Sequence, residues 1–127
     1  MTQPNQIYKC NVCGNIVEVL HAGAGELVCC DQPMKLQKAK TQDPKLSEKH
    51  VPVIDFEKDI IRIGKVPHPM EEKHYIEWIE IIYRNEFISR KVLGSNQKPQ
   101  INFKLKNLDK TQLKVKAYCN LHGLWEA

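Results

Sequence analysis

A chain of 127 residues with 42% hydrophobic and 27% charged residues is the size of one ordinary domain, or of a small module joined to a compact one. Its net charge of +4 is too mild and too evenly spread to form a phosphate-binding stripe, so nucleic acid is not an expected partner, although a small anion would be favoured. No apolar run approaches the roughly 20 residues that cross a bilayer, and the polar start (Thr2, Gln3, Asn5, Gln6) has no apolar leader core; a cytoplasmic protein with no membrane partner is expected.

Residues 1–37 carry short apolar stretches at Ile7-Tyr8, Ile16 to Leu20 and Leu27-Val28, punctuated by Gly14, Gly23 and Gly25. Such a turn-rich module is too small to bury a sufficient core unaided, so a metal staple is expected. Residues 38–49 are polar, contain Pro44, and read as a linker or surface loop. Beyond them, β-rich runs occur at Val51 to Phe56, Ile60 to Ile63, His74 to Tyr83 and Phe87 to Leu93. Ile101, Phe103 and Leu105 alternate with polar residues, as do Leu113, Val115 and Ala117, which predicts strands with one buried face. Turns are predicted near Glu57-Lys58-Asp59, Arg84-Asn85-Glu86 and Gly94-Ser95-Asn96. No segment holds a helical period, and the spacing of the strands predicts an antiparallel sandwich for residues 38–127.

Five cysteines, an odd number in a reducing compartment, fit metal ligation better than a disulfide framework. Cys10, Cys13, Cys29 and Cys30 form C-x2-C-x15-C-C, a complete set of four sulfur ligands suited to zinc or iron. Spacing alone does not choose between the two, and a zinc ribbon is the plain alternative. The adjacent pair Cys29-Cys30 must splay its side chains to share one ion. With no open position, this site points to structure or electron transfer.

A second constellation comprises His50, His68, His74, Cys119 and His122. Cys119 shares parity with the inward Leu113, Val115 and Ala117, so its sulfur is expected to face the interior. Pro67 and Pro69 force extended backbone around His68. His50 ends the polar stretch and His74 opens a β run, so each histidine stands at an element edge. Any one histidine is more often a packed or surface residue than a ligand, and His21 is left as such; the case for the other four is collective.

The strings Glu48-Lys49-His50-Val51-Pro52, His68-Pro69-Met70-Glu71-Glu72-Lys73-His74-Tyr75 and Tyr118-Cys119-Asn120-Leu121-His122-Gly123, preceded by Cys10-x2-Cys13 and Cys29-Cys30, closely resemble the desulfoferrodoxin (superoxide reductase) family. The resemblance covers nearly the whole chain, with its motifs in the family's order. Pro67 stands where a small residue is expected and Ser47 where a basic one is common.

The resemblance implies a desulforedoxin-like FeS4 module (residues 1–37) followed by an immunoglobulin-like β-sandwich that binds the catalytic iron (residues 38–127), commonly as a homodimer. It implies two iron ions: one on Cys10, Cys13, Cys29 and Cys30, the other on His50, His68, His74 and His122 in a plane with Cys119 as axial ligand. Glu48 would fill the sixth position in the ferric state, and Lys49 would flank it. The implied reaction is reduction of superoxide to hydrogen peroxide, with electrons from a rubredoxin-like donor. A superoxide dismutase and a non-catalytic two-metal electron carrier are the rival readings. Five protein ligands beside a Glu-Lys pair exceed what a closed zinc site requires.

Overall fold

The computed structural model describes residues 1–127, which form two compact units, Met1–Lys38 and Ala39–Ala127. In the first, β1 (Ile7–Lys9) lies between β2 (Ile16–Glu18) and β5 (Lys35–Leu36), while β3 (Val28–Cys29) and β4 (Gln32–Pro33) form a separate hairpin. Only Ile7, Cys10, Val19 and Thr2 are buried in this unit. Leu20 and Val28 stand in solvent at 85% and 59% exposure, so there is little apolar core to oppose the chain entropy of ordering.

The second unit is an antiparallel sandwich. One sheet has the order β10 (Gln100–Asn102), β7 (Ile60–Ile63), β6 (Pro52–Asp55). The other has the order β12 (Gly123–Glu126), β11 (Leu113–Cys119), β8 (Ile76–Tyr83), β9 (Glu86–Val92). Ile61, Ile63 and Ile101 from the first sheet meet Ile76, Ile79, Ile81, Leu113, Val115, Ala117 and Cys119 from the second in one core. Cys119 is therefore the last inward residue of β11, as its parity with Val115 and Ala117 predicts. On β8 the inward set is Ile76, Ile79 and Ile81; an irregularity in the β8–β11 register between Tyr118 and Cys119 explains why apolar residues occupy both parities there.

Several boundaries differ from the sequence expectation, each for a local reason. Residues 38–49 are not a plain linker: Lys40 pairs with Trp125, its N–H donating to the Leu124 carbonyl at 2.9 Å. A single helical turn, α1 (Ser47–His50), follows. Asp43 starts it: one carboxylate oxygen accepts from the N–H groups of Lys45 and Leu46 at 2.9 and 3.0 Å, and the Ser47 hydroxyl donates to the Asp43 carbonyl. Four residues are too few to show a period. The Ile101 strand ends at Asn102, because Asp59, at φ 54°, captures the N–H of Phe103 with its carbonyl and that of Leu105 with its side chain. Finally β12, with the fully buried Trp125, escapes a period-two reading because it is four residues long.

Gly64 terminates β7 at φ +87°, where a Cβ would lie 2.6 Å from the Lys49 carbonyl oxygen and 2.3 Å from that of Val66. The chain beside His50 is thus seated directly on this glycine. Gly64→Ala is expected to destabilise the protein by about 1–3 kcal/mol or more through left-handed strain and displacement of the Lys49-His50 backbone. Urea unfolding measures it; a midpoint within error of the parent would contradict the seating.

Candidate metal centres

Cys10 follows β1 and begins a turn closed by Gly14 (φ +83°), whose N–H donates to the Cys10 carbonyl at 3.0 Å. This turn aims the N–H groups of Val12 and Cys13 at the Cys10 sulfur, at 3.4 and 3.5 Å. Those dipoles, Cys13 first, hold the Cys10 thiol down at about 6. The second pair comes from the β3–β4 hairpin, where Cys30 and Asp31 occupy left-handed conformations (φ 52° and 58°) between paired Cys29 and Gln32. A two-residue turn of that kind matches the twist of its strands and lets adjacent side chains diverge yet reach one point. The Cys29 sulfur lies 3.6 Å from that of Cys13 and 3.9 Å from that of Cys30. All four sulfurs fall within 4.8 Å of one another. Hydrogen bonding to Cys13 pushes the Cys29 thiol up to about 12, and the same neighbour raises Cys30. One thiolate forms readily in this cluster; four require a metal cation among them.

In the second unit, His50, His68, His74 and Cys119 bring one donor atom each within 4.8 Å of the others. His122 joins them: its Nδ1 is 3.1 Å from His50 Nε2 and 3.8 Å from the Cys119 sulfur. Each histidine is aimed by its own element. His50 ends α1, and its Nδ1 is 2.8 Å from the Leu46 carbonyl. His68 Nδ1 is 2.7 Å from the Pro69 carbonyl. Carbonyl oxygens only accept, so both Nδ1 atoms carry the proton and both Nε2 atoms present lone pairs. Those two Nε2 atoms lie 3.1 Å apart in a buried site. His74 closes a tight turn, with reciprocal backbone bonds to Glu71 at 2.9 and 3.1 Å, and stands two residues before β8. Its Nε2 is buried without a hydrogen-bond partner.

Burial lowers the proton affinity of His50 and His74 and takes His68 down to about 4. Burial raises the Cys119 thiol, against the N–H groups of Leu121 and His122, which favour its thiolate. Protons therefore do not satisfy the facing lone pairs near neutrality, and a metal ion does. The donor set, four imidazoles and a thiolate, suits a borderline transition metal.

Two family models match the chain: "Desulfoferrodoxin" over residues 42–127 and "Desulfoferrodoxin, N-terminal domain" over residues 2–37. The chain belongs to the desulfoferrodoxin family. It is 52% identical to the desulfoferrodoxin homolog of Archaeoglobus fulgidus, over all of this chain and 99% of that one. It is 38% identical to the superoxide reductase of Pyrococcus abyssi, over 62% of this chain and 84% of that one. Among solved structures, the superoxide reductase of Treponema pallidum shares the fold at a TM-score of 0.69 and 23% identity, over 96% of this chain and 95% of that one. The superoxide reductase (neelaredoxin) of Ignicoccus hospitalis aligns at a TM-score of 0.52 and 33% identity, over 63% of this chain and 77% of that one.

The four-cysteine group and the group of four histidines with Cys119 match the two iron sites of a desulfoferrodoxin. Glu48 and Lys49 are exposed on the turn that carries His50, and the Lys49 charge reaches His74, where it further disfavours protonation. His21 is exposed and stands outside both groups. Asn120 is silent as a functional residue in the sequence. Its side chain accepts from the Tyr75 N–H at 2.9 Å and donates to the Lys73 carbonyl at 3.0 Å, so one carboxamide fixes the backbone on both sides of His74 against the Cys119 turn. No periodic signal marks such a contact.

The buried imidazoles give the metal-free protein a signed pH dependence. Their folded-state affinities for protons lie below the unfolded value of about 6.5, so the unfolded chain binds more protons as pH falls. Their contribution to stability is complete above about 6.5 and is lost as pH drops toward the value of about 4 for His68. The urea midpoint of the metal-free protein, followed by Trp78 and Trp125 fluorescence, is expected to fall between pH 7 and pH 5. An unchanged midpoint would contradict neutral burial of these rings.

Proposed function

We propose that this chain is a superoxide reductase that converts superoxide, one electron and two protons into hydrogen peroxide, releasing no dioxygen. The observation that carries the reading is the convergence of four imidazoles and the Cys119 thiolate on one point, beside an exposed glutamate–lysine pair on the one-turn helix α1. Five protein donors would leave a six-coordinate metal room for one further ligand such as a diatomic anion. His50, His68, His74, His122 and Cys119 would hold the iron. Bound there, iron would supply the reversible one-electron chemistry of the reaction.

The chain's own residues govern approach, tuning and rest. Lys49 supplies a solvent-facing ammonium whose charge is felt at His74, an attraction for a monoanion. The N–H groups of Leu121 and His122 stabilise negative charge on the Cys119 sulfur and so moderate its donation to the metal. Glu48, an exposed carboxylate two residues before His50, would be the carboxylate available to the iron in the oxidised resting protein.

In this reading, the Met1–Lys38 unit is a desulforedoxin-like FeS4 module on Cys10, Cys13, Cys29 and Cys30. Its fully protein-ligated set supports electron storage or stabilisation rather than substrate chemistry. A rubredoxin-like protein is proposed as donor, because a one-electron carrier matches a one-electron centre. A homodimer is proposed as the family resemblance implies. A cytoplasmic setting is supported by five unpaired cysteines, two of them exposed.

The functional test mixes the reduced protein with superoxide stoichiometrically and measures peroxide against dioxygen. One peroxide per iron oxidised and no dioxygen is expected; dioxygen in equal amount would establish a dismutase instead. Lys49→Ala is expected to slow the second-order reaction by about tenfold and to flatten its ionic-strength dependence. Pulse radiolysis at two salt concentrations reads both, and unchanged kinetics would remove the steering role. Cys119→Ser is expected to abolish the thiolate-to-iron charge-transfer band of the oxidised protein; its persistence would move the sulfur ligand elsewhere.

A further inference from the structure

His50 and His122 reach each other across 72 positions of sequence, from a helical turn and a strand-to-strand turn. Trp125, completely buried in β12, touches both. Its ring stacks on the His50 imidazole, with centroids 4.8 Å apart and planes 29° from parallel. Its indole N–H donates to the His122 carbonyl at 3.2 Å. The same carbonyl is approached from outside by the Lys40 ammonium at 3.4 Å, and that ammonium also lies 5.2 Å from the centre of the Trp125 ring. Lys40 is itself fixed by its backbone, which donates to Leu124 and accepts from Glu126, both at 2.9 Å.

We propose that Trp125 and Lys40 form a clamp that positions His50 and His122 for the metal, with the His122 carbonyl as its fulcrum. The inference rests on those two histidines being ligands. An imidazole turns softly about its last side-chain torsion, and the Leu46 carbonyl pins only one edge of His50. The flat indole face restricts the remaining rotation. A carbonyl oxygen has two lone pairs, so the indole N–H and the ammonium are accommodated together. Between them they fix the turn from Cys119 to Gly123 (φ +81°), and thereby the approach of His122 Nδ1. Partners behind a ligand commonly govern metal affinity 10–100-fold. Trp125 and Lys40 are positioning residues, without contact to substrate.

A tryptophan that merely fills the core would act independently of Lys40; a shared acceptor makes the two interdependent. The test uses the full-length protein as W125F, K40M and the double variant. Iron release from the histidine site is followed by loss of the thiolate band in excess chelator, and the urea midpoint of each metal-free protein is measured alongside. W125F is expected to release iron about tenfold faster, and K40M a few-fold faster with an unchanged midpoint, because its side chain is exposed. The double variant is expected to exceed the product of the single effects, since the carbonyl then loses both donors. Equality with that product, or wild-type release in W125F, would overturn the clamp. H50A separates this from failure of the ligand reading: an H50A protein that still binds both irons with the thiolate band intact would overturn that reading, and the clamp with it.

Discussion

Two imidazole nitrogens, each obliged by a backbone carbonyl to present its lone pair, face one another at 3.1 Å in the second unit. Like-signed electron density at that separation is repulsive, and in a buried site water does not screen it. Protonation of one ring would relieve the repulsion, but burial disfavours the charged form, most strongly at His68. A metal cation is the remaining solution. The fold makes that arrangement unavoidable: α1 ends at His50 because Asp43 and Ser47 start it, His68 is locked onto Pro69, and Cys119 is carried inward by the parity of β11. The sandwich core supplies the rigidity that keeps the donors together.

The smaller unit solves the same problem with sulfur. Its apolar core is slight, and hydrogen bonding among its thiols raises Cys29 most and Cys30 as well, while backbone N–H groups lower Cys10. Metal binding there is linked to loss of protons and to folding, so the ion contributes structure as well as redox capacity. The sandwich has a substantial core of its own, so its fold does not depend on a metal in the same way.

Much of this could be read in the residues. The strand alternation of Leu113, Val115 and Ala117 placed Cys119 correctly, and the Arg84-Asn85 turn lies where predicted, both residues at positive φ. The spacing of Cys10, Cys13, Cys29 and Cys30 foretold the sulfur cluster. Less legible were features made by single contacts between distant segments. Trp125 sits in a four-residue strand, Lys40 in a stretch that reads as linker, and Asn120 in a turn; none belongs to a periodic pattern. The four-residue α1 is written in the side-chain bonds of Asp43 and Ser47 rather than in hydrophobic spacing. Local chemistry was visible, and tertiary bracing was not.

The central claim is that one iron is held jointly by four histidines and the thiolate of Cys119. X-ray absorption at the iron edge tests it most directly, applied to reduced C13S protein reconstituted so that the histidine site holds ferrous iron. A first shell of four nitrogen donors and one sulfur donor is predicted. A shell without sulfur, or one dominated by sulfur, would contradict the account.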